Sequence, residues 1–165
     1  MSTDRIYTVE FESAGSNNIT TANGDYDLFE LDPLDDRPIE LCGLELKVTS
    51  EVAEAQEEWL RLQVIRGHAT DGTGGTSKTP RPLNPVHPAA GFTGDVLRTV
   101  IASAGTAQNL YSGGMNVRIG YDWGPVPEGF GYTCLEADGL LVVRLLSTVA
   151  DDLMMNGTAW VRELP

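Results

Sequence analysis

The chain contains two histidines, His68 and His87, and imidazole is a common general base in enzymes. No catalytic triad can be identified around either one, and the sequence contains no GxSxG, HExxH or Walker pattern. The glycines between Asp71 and Gly75 are not followed by a helix that could bind a phosphate at its N-terminus. The sequence therefore predicts a protein that is not an enzyme and that has no cofactor.

Three carboxylates cluster at Asp32, Asp35 and Asp36, and their oxygens are the ligands that calcium prefers. The EF-hand spacing is absent, and Arg37 follows the cluster directly. A turn with a surface ion pair therefore explains these residues better than a metal site does. We predict no metal ligands, although the sequence alone leaves a cation at this cluster open.

The two cysteines, Cys42 and Cys134, lie far apart, and neither belongs to a CxxC or a Cys/His cluster. Two buried, reduced thiols are the expected state. An immunoglobulin-like sandwich is an alternative, because such a domain pairs two cysteines over a buried tryptophan, here Trp59, and has a tyrosine two residues before the second cysteine, here Tyr132. The wide cysteine spacing disfavours that alternative.

Size and charge restrict the class of protein. With 165 residues, the chain fits a single domain over 1–165. Its 11 basic and 24 acidic side chains give a net charge of -13, which disfavours nucleic acid and anionic membranes as partners. No apolar run approaches the roughly 20 residues that span a bilayer, and the N-terminus does not resemble a signal peptide. We therefore expect synthesis in a cytoplasm.

Alternation of apolar and polar residues predicts β-strands along most of the chain. The clearest are Arg5 to Phe11, Ile39 to Thr49 and Trp59 to Arg66. Further strands are predicted over Tyr26 to Leu31, Val96 to Ile101, Gln108 to Ser112, Met115 to Trp123, Leu140 to Ser147 and Thr158 to Leu164. About nine strands with almost no helix predict an all-β fold, a two-sheet β-sandwich with jelly-roll or related Greek-key topology.

The predicted strand from Leu140 to Ser147 is apolar on both faces except at Arg144. It should therefore lie in the middle of a sheet, where the guanidinium must reach solvent or find a carboxylate.

A long Gly/Thr/Pro-rich loop is predicted over 68–95. Its prolines favour an extended conformation that loses little entropy on docking. We predict that Pro80, Arg81, Pro82, His87 and Phe92 contribute to a protein interface, because arginine and aromatic side chains are enriched there. A solvated surface loop without a role is the alternative.

Several strings resemble small virion proteins of tailed bacteriophages and prophages. They include Glu57 to Arg61, Val64 to His68, Gly72 to Gly75, Thr79 to Pro82, Ala89 to Phe92, Asn116 to Tyr121 and Leu141 to Leu145, so that the likeness covers most of the chain. The resemblance implies a structural virion protein, a decoration or cement protein on the capsid exterior. It also implies the major capsid protein as partner and a homo-oligomer, a trimer in many such proteins. It assigns no site residues.

Other functions of a β-sandwich stay open at this point. A tail or baseplate component would bind tail proteins or receptors. A carbohydrate-binding module would use exposed aromatic side chains such as Tyr121 and Trp123.

Overall fold

A computed structural model describes residues 5–13, 19–34, 37–50, 58–146 and 149–165. The strands are β1 (Arg5–Glu12), β2 (Tyr26–Pro33), β3 (Ile39–Val48), β4 (Trp59–His68), β5 (Thr76–Lys78), β6 (Arg81–Pro82), β7 (Phe92–Arg98), β8 (Gln108–Asn116), β9 (Tyr121–Trp123), β10 (Tyr132–Cys134), β11 (Leu140–Leu146) and β12 (Met155–Glu163). In the described ranges, the one helical element is a 3-10 turn at Glu136–Asp138.

The strands form two antiparallel six-stranded sheets that pack as a sandwich. The first sheet has the order β10-β3-β12-β1-β6, with β9 also paired to β3. The second sheet has the order β5-β7-β2-β11-β4-β8. The strand pairs are nested along the chain: β1 pairs with β12, β2 with β11, β3 with β9 and β10, and β4 with β8. This is the arrangement of a jelly roll. The predicted all-β sandwich is confirmed.

The core lies between the sheets because alternate side chains of each strand point inward. Leu60, Leu62 and Val64 of β4 are buried in this way, as the alternating pattern predicts. Rings from the two sheets meet where Phe11 and Phe29 lie 5.1 Å apart between centroids.

The predicted loop 68–95 contains regular structure. Strands β5 and β6 fall inside it, and its last four residues belong to β7. Because β5 and β6 are three and two residues long, they are too short to show an alternating pattern, and β6 pairs with β1, which is distant in the chain.

Two strand boundaries differ from the prediction for identifiable reasons. Met115 to Trp123 is not one strand, since the chain turns between β8 and β9 with Gly120 at a φ of 80°. Asp32 and Pro33 do not close β2 with a turn but are its last two residues, pairing with Thr93 and Phe92 of β7 beyond the end of β11. A proline fits there because one side of the strand has no ladder to interrupt.

Candidate protein-interaction surfaces

The proline-rich segment is attached to the first sheet. Strand β6 pairs with Tyr7 and Thr8 of β1, and the backbone N–H of Leu83 donates to the carbonyl of Ile6 at 2.9 Å. A turn follows, in which the N–H of His87 donates to the carbonyl of Asn84 at 3.0 Å. The segment therefore lies along a sheet edge in a defined conformation.

A buried carboxylate fixes the far end of this segment. Glu163 accepts hydrogen bonds from the backbone N–H of Gly91 and, at 3.3 Å, from the Tyr7 hydroxyl. The guanidinium groups of Arg5 and Arg37 each approach Glu163 to 3.8 Å. Burial raises the pKa of Tyr7, and the neighbouring Glu163 carboxylate raises it further.

The structure distributes the five predicted interface residues unevenly. Phe92 is only 2% exposed and packs edge-on against Tyr7, with ring centroids 5.7 Å apart. Pro80 is also buried, and Pro82 is half-buried in β6. Phe92 and Pro80 therefore belong to the protein's own packing, because the start of β7 carries the phenyl ring into the core. In this fold, the Phe92 ring is therefore not exposed for contact with a partner.

The exposed part of the segment is its middle. Leu83 is 57% and Val86 is 81% exposed, Arg81 is exposed, and His87 is half-buried. Sequence reasoning missed Leu83 and Val86. Apolar residues between prolines could have indicated an exposed apolar surface, because a turn buries few of its side chains.

The buried arginine of the second sheet has a carboxylate partner, as predicted. Arg144 on β11 makes two hydrogen bonds to Asp27 on the neighbouring β2, at 2.5 and 3.0 Å. Asp27 also accepts the N–H of Ala102 at 2.6 Å, and Arg144 donates to the carbonyl of Ala102 at 3.0 Å. This pair therefore fixes the segment around Ala102 over the outer face of the second sheet.

The first sheet carries a second pair of the same design. Arg162 on β12 donates to Glu40 on β3 at 2.5 Å. Glu40 accepts the N–H groups of Gly129 and Gly131 at 2.9 and 2.7 Å, and Arg162 donates to the carbonyl of Val126 at 2.9 Å. This pair fixes the loop between β9 and β10. No sequence pattern marked Glu40 or Arg162, because their pairing depends on the sheet register.

A third carboxylate lies beside the first pair. Glu30 on β2 accepts the N–H of Gly72 on both oxygens, each at 3.1 Å, and lies 3.8 Å from the Arg98 guanidinium. Burial, a hydrogen bond to Asp27 and the Asp27 charge raise the pKa of Glu30 to about 8, against the lowering effects of Gly72 and Arg98. Such a shift can mark an active site. Here Glu30 binds loop backbone on a covered sheet face, so its surroundings are structural.

The other predicted chemical residues are separated or buried. Asp32 is half-buried in β2, and burial followed by nearby carboxylates raises its pKa, while Asp35 and Asp36 lie outside the described residues. Among the described residues, no group of three or more histidines, cysteines or acids could bind a metal ion. His68 is buried at the end of β4, on a different sheet from the segment that contains His87.

Both cysteines are buried thiols outside any disulfide, as predicted. The Cys134 thiol donates to the carbonyl of Gly139 at 3.2 Å, and burial, more than the nearby Asp138, raises its pKa to about 12. Trp59 is exposed rather than packed over a disulfide. The immunoglobulin-like alternative is therefore wrong for this fold.

The aromatic side chains considered for sugar binding form a cluster where the edges of the two sheets meet. Tyr121 and Trp123 of β9 lie beside Tyr111 of β8 and Tyr132 of β10, with ring planes inclined by 43° to 55°. All four rings are half-buried. They close one side of the sandwich and do not present a flat platform.

Comparison with known proteins adds no relative, since no family model, no curated protein and no solved structure matches this chain. In the described part of the chain, no helix is long and apolar enough to cross a membrane.

Proposed function

We propose that this protein is a structural, non-catalytic virion protein that binds the exterior of a bacteriophage capsid as a decoration protein. The resemblance of its sequence strings to phage virion proteins supports a phage particle as the assembly to which it belongs. The partner is then the major capsid protein, and the protein is located on the capsid surface. The proposed oligomer is a homotrimer, because decoration proteins of this kind are often trimers.

One structural observation carries the protein-binding part of this proposal. Leu83 and Val86 project from a segment that β1 pairing and Glu163 fix at both ends. Exposed apolar side chains on preordered backbone suit docking, because the backbone has little freedom left to lose. Meanwhile, three buried carboxylates, Asp27, Glu40 and Glu163, bind the protein's own loops. This distribution supports binding without chemistry.

The test is binding to purified heads of the phage that encodes the chain. The parent protein should bind heads saturably and should not bind isolated tails. A double variant, Leu83→Ser with Val86→Ser, should keep the circular dichroism of the parent. It should bind heads at least about tenfold more weakly, because two aliphatic side chains are no longer buried at the interface.

The matched control is Val100→Ser, which removes an exposed apolar side chain elsewhere, on the segment that covers the second sheet. It should bind heads like the parent. Saturable binding to tails but not to heads would contradict decoration and favour a tail component. Sedimentation of the free and released protein tests the trimer.

A further inference from the structure

The four sheet edges are unequally protected against pairing with another chain. At three of them the strands are short: β5 has three residues and contains Lys78, β6 has two and contains Pro82, and β9 and β10 have three each. The fourth edge is β8, with nine residues and neither charge nor proline. Natural proteins usually protect long edges with lysine, proline or shortness, so β8 is the exception here.

The outer backbone of β8 is available for hydrogen bonds. The N–H of Val117 donates to the carbonyl of Glu58 at 3.1 Å, which fixes which residues of β8 point toward β4. In an antiparallel ladder these residues alternate, so the N–H and C=O groups of Ser112 and Gly114 point away from β4. In the described part of the chain, no strand pairs with this side of β8, apart from a bridge between Asn116 and Gly120.

Charge around this edge differs from that of the whole molecule. No acidic residue occurs between Glu58 and Asp71 or between Asp95 and Asp122, although the chain has 24 acids and a net charge of -13. These two stretches contain β4 and β8. Arg61 of β4 is exposed beside the edge and has no ion-pair partner among the described residues. Strands β4 and β8 thus contain arginine but no acid in an acidic protein, and the nearby acids lie at the two ends of the edge, Glu58 beside Val117 and Asp138 beside Arg66.

The side chains of β8 leave room for a contact across the strand. Arg61 lies opposite Gly114, and Gln63 opposite Ser112, to which its amide donates at 3.2 Å. A strand added beyond β8 would lie two strand spacings, about 10 Å, from Arg61. Because Gly114 has no side chain, a carboxylate on the added strand can meet the Arg61 guanidinium above it.

We propose that the β8 edge, Tyr111 to Met115, binds an extended acidic segment of a protein partner, which adds a seventh strand to the second sheet. Backbone hydrogen bonds to Ser112 and Gly114 supply the pairing, and Arg61 selects a carboxylate opposite Gly114. This inference deepens the proposed function by naming a surface and a type of partner segment. Its test requires no heads, so its failure would leave capsid binding untouched.

The experiment titrates the ¹⁵N-labelled full chain with two blocked eight-residue peptides, one alternating valine and glutamate and the other valine and lysine. The glutamate peptide should shift the amide signals of Ser112 and Gly114 and slow their hydrogen exchange. The lysine peptide should bind about two- to fivefold more weakly, the effect of one exposed ion pair. Arg61→Glu should reverse the preference.

Ser112→Pro removes an outward N–H and should abolish binding, whereas Ser112→Ala retains that N–H and should bind like the parent. If the proline variant does not fold, Arg61→Glu still tests the proposal. Unchanged signals at Ser112 and Gly114 with both peptides, or an equal response to both, would overturn it. So would protection of these amides that rises with protein concentration alone, because the occupant would then be a second copy.

Discussion

The Asp27–Arg144 and Glu40–Arg162 pairs occupy equivalent places on the outer faces of the two sheets. In each pair, the carboxylate accepts loop N–H groups while the arginine donates to a loop carbonyl. They differ in their remaining partners. Glu40 has two loop N–H donors, whereas Asp27 has one, and the Asp27 charge contributes to the raised pKa of Glu30. A carboxylate–arginine pair therefore fixes a loop on each sheet. On the second sheet, the pair lies beside Glu30, whose pKa is raised to about 8.

The largest expected effect follows from breaking the Asp27 pair. Arg144→Met leaves a fully buried carboxylate with one loop donor, and we expect a loss of about 3–5 kcal/mol in the free energy of unfolding. Urea denaturation followed by fluorescence measures this. Arg61→Met is the matched control, since Arg61 is exposed, and its effect should stay within about 0.5 kcal/mol. Equal losses in the two variants would show that Asp27 does not need Arg144.

A smaller effect is expected at the Glu40 pair. Arg162→Met leaves Glu40 with hydrogen bonds from Gly129 and Gly131, so that part of its charge remains stabilised. We expect a loss of about 2–3 kcal/mol, measured in the same way, with faster hydrogen exchange confined to the loop between β9 and β10. A loss greater than that of Arg144→Met would mean that the loop N–H donors do little to stabilise the Glu40 charge. The proposed difference between the two pairs would then be wrong.

Much of the fold could be predicted from the sequence, because the long strands β1, β3, β4 and β11 alternate or are continuously apolar. The need of Arg144 for a carboxylate could also be predicted, since a charge inside an apolar strand must be paired. Its partner could not, because Asp27 lies 117 positions away and the sheet register selects it.

Which residues of the proline-rich segment are exposed could not be predicted for a similar reason. Phe92 and Val86 are both apolar residues of a proline-rich segment, and only the pairing of β7 with β2 decides which of them enters the core. The β8 edge likewise becomes visible only when strand order is known, although its lack of charge could be read from the sequence.

A third expected effect concerns the pH dependence of stability. The folded pKa of Glu30 is raised to about 8 from 4.5, so the folded state binds more protons than the unfolded state between these values. The stability from this group is full below pH 4.5 and is lost as pH rises through about 8, with a slope of at most about 1.4 kcal/mol per pH unit.

Glu30→Gln should flatten this part of the stability curve. The other charged groups around the site are Arg98, Arg144, Asp27 and Asp95. Urea midpoints measured from pH 5 to 9 provide the test. Parallel curves for the parent and Glu30→Gln would assign the pH dependence to other groups.

The buried charged groups of the protein fix its own loops, whereas its binding surfaces present backbone groups and apolar side chains, with the exposed Arg61 beside β8. Residue-resolved hydrogen exchange of the free, dilute protein tests this difference most directly. The N–H groups of Ala102, Gly129 and Gly131 should exchange slowly, and those of Ser112 and Gly114 quickly. Fast exchange at the three loop positions together with slow exchange at Ser112 and Gly114 would contradict this division between loop-fixing charges and an open β8 edge.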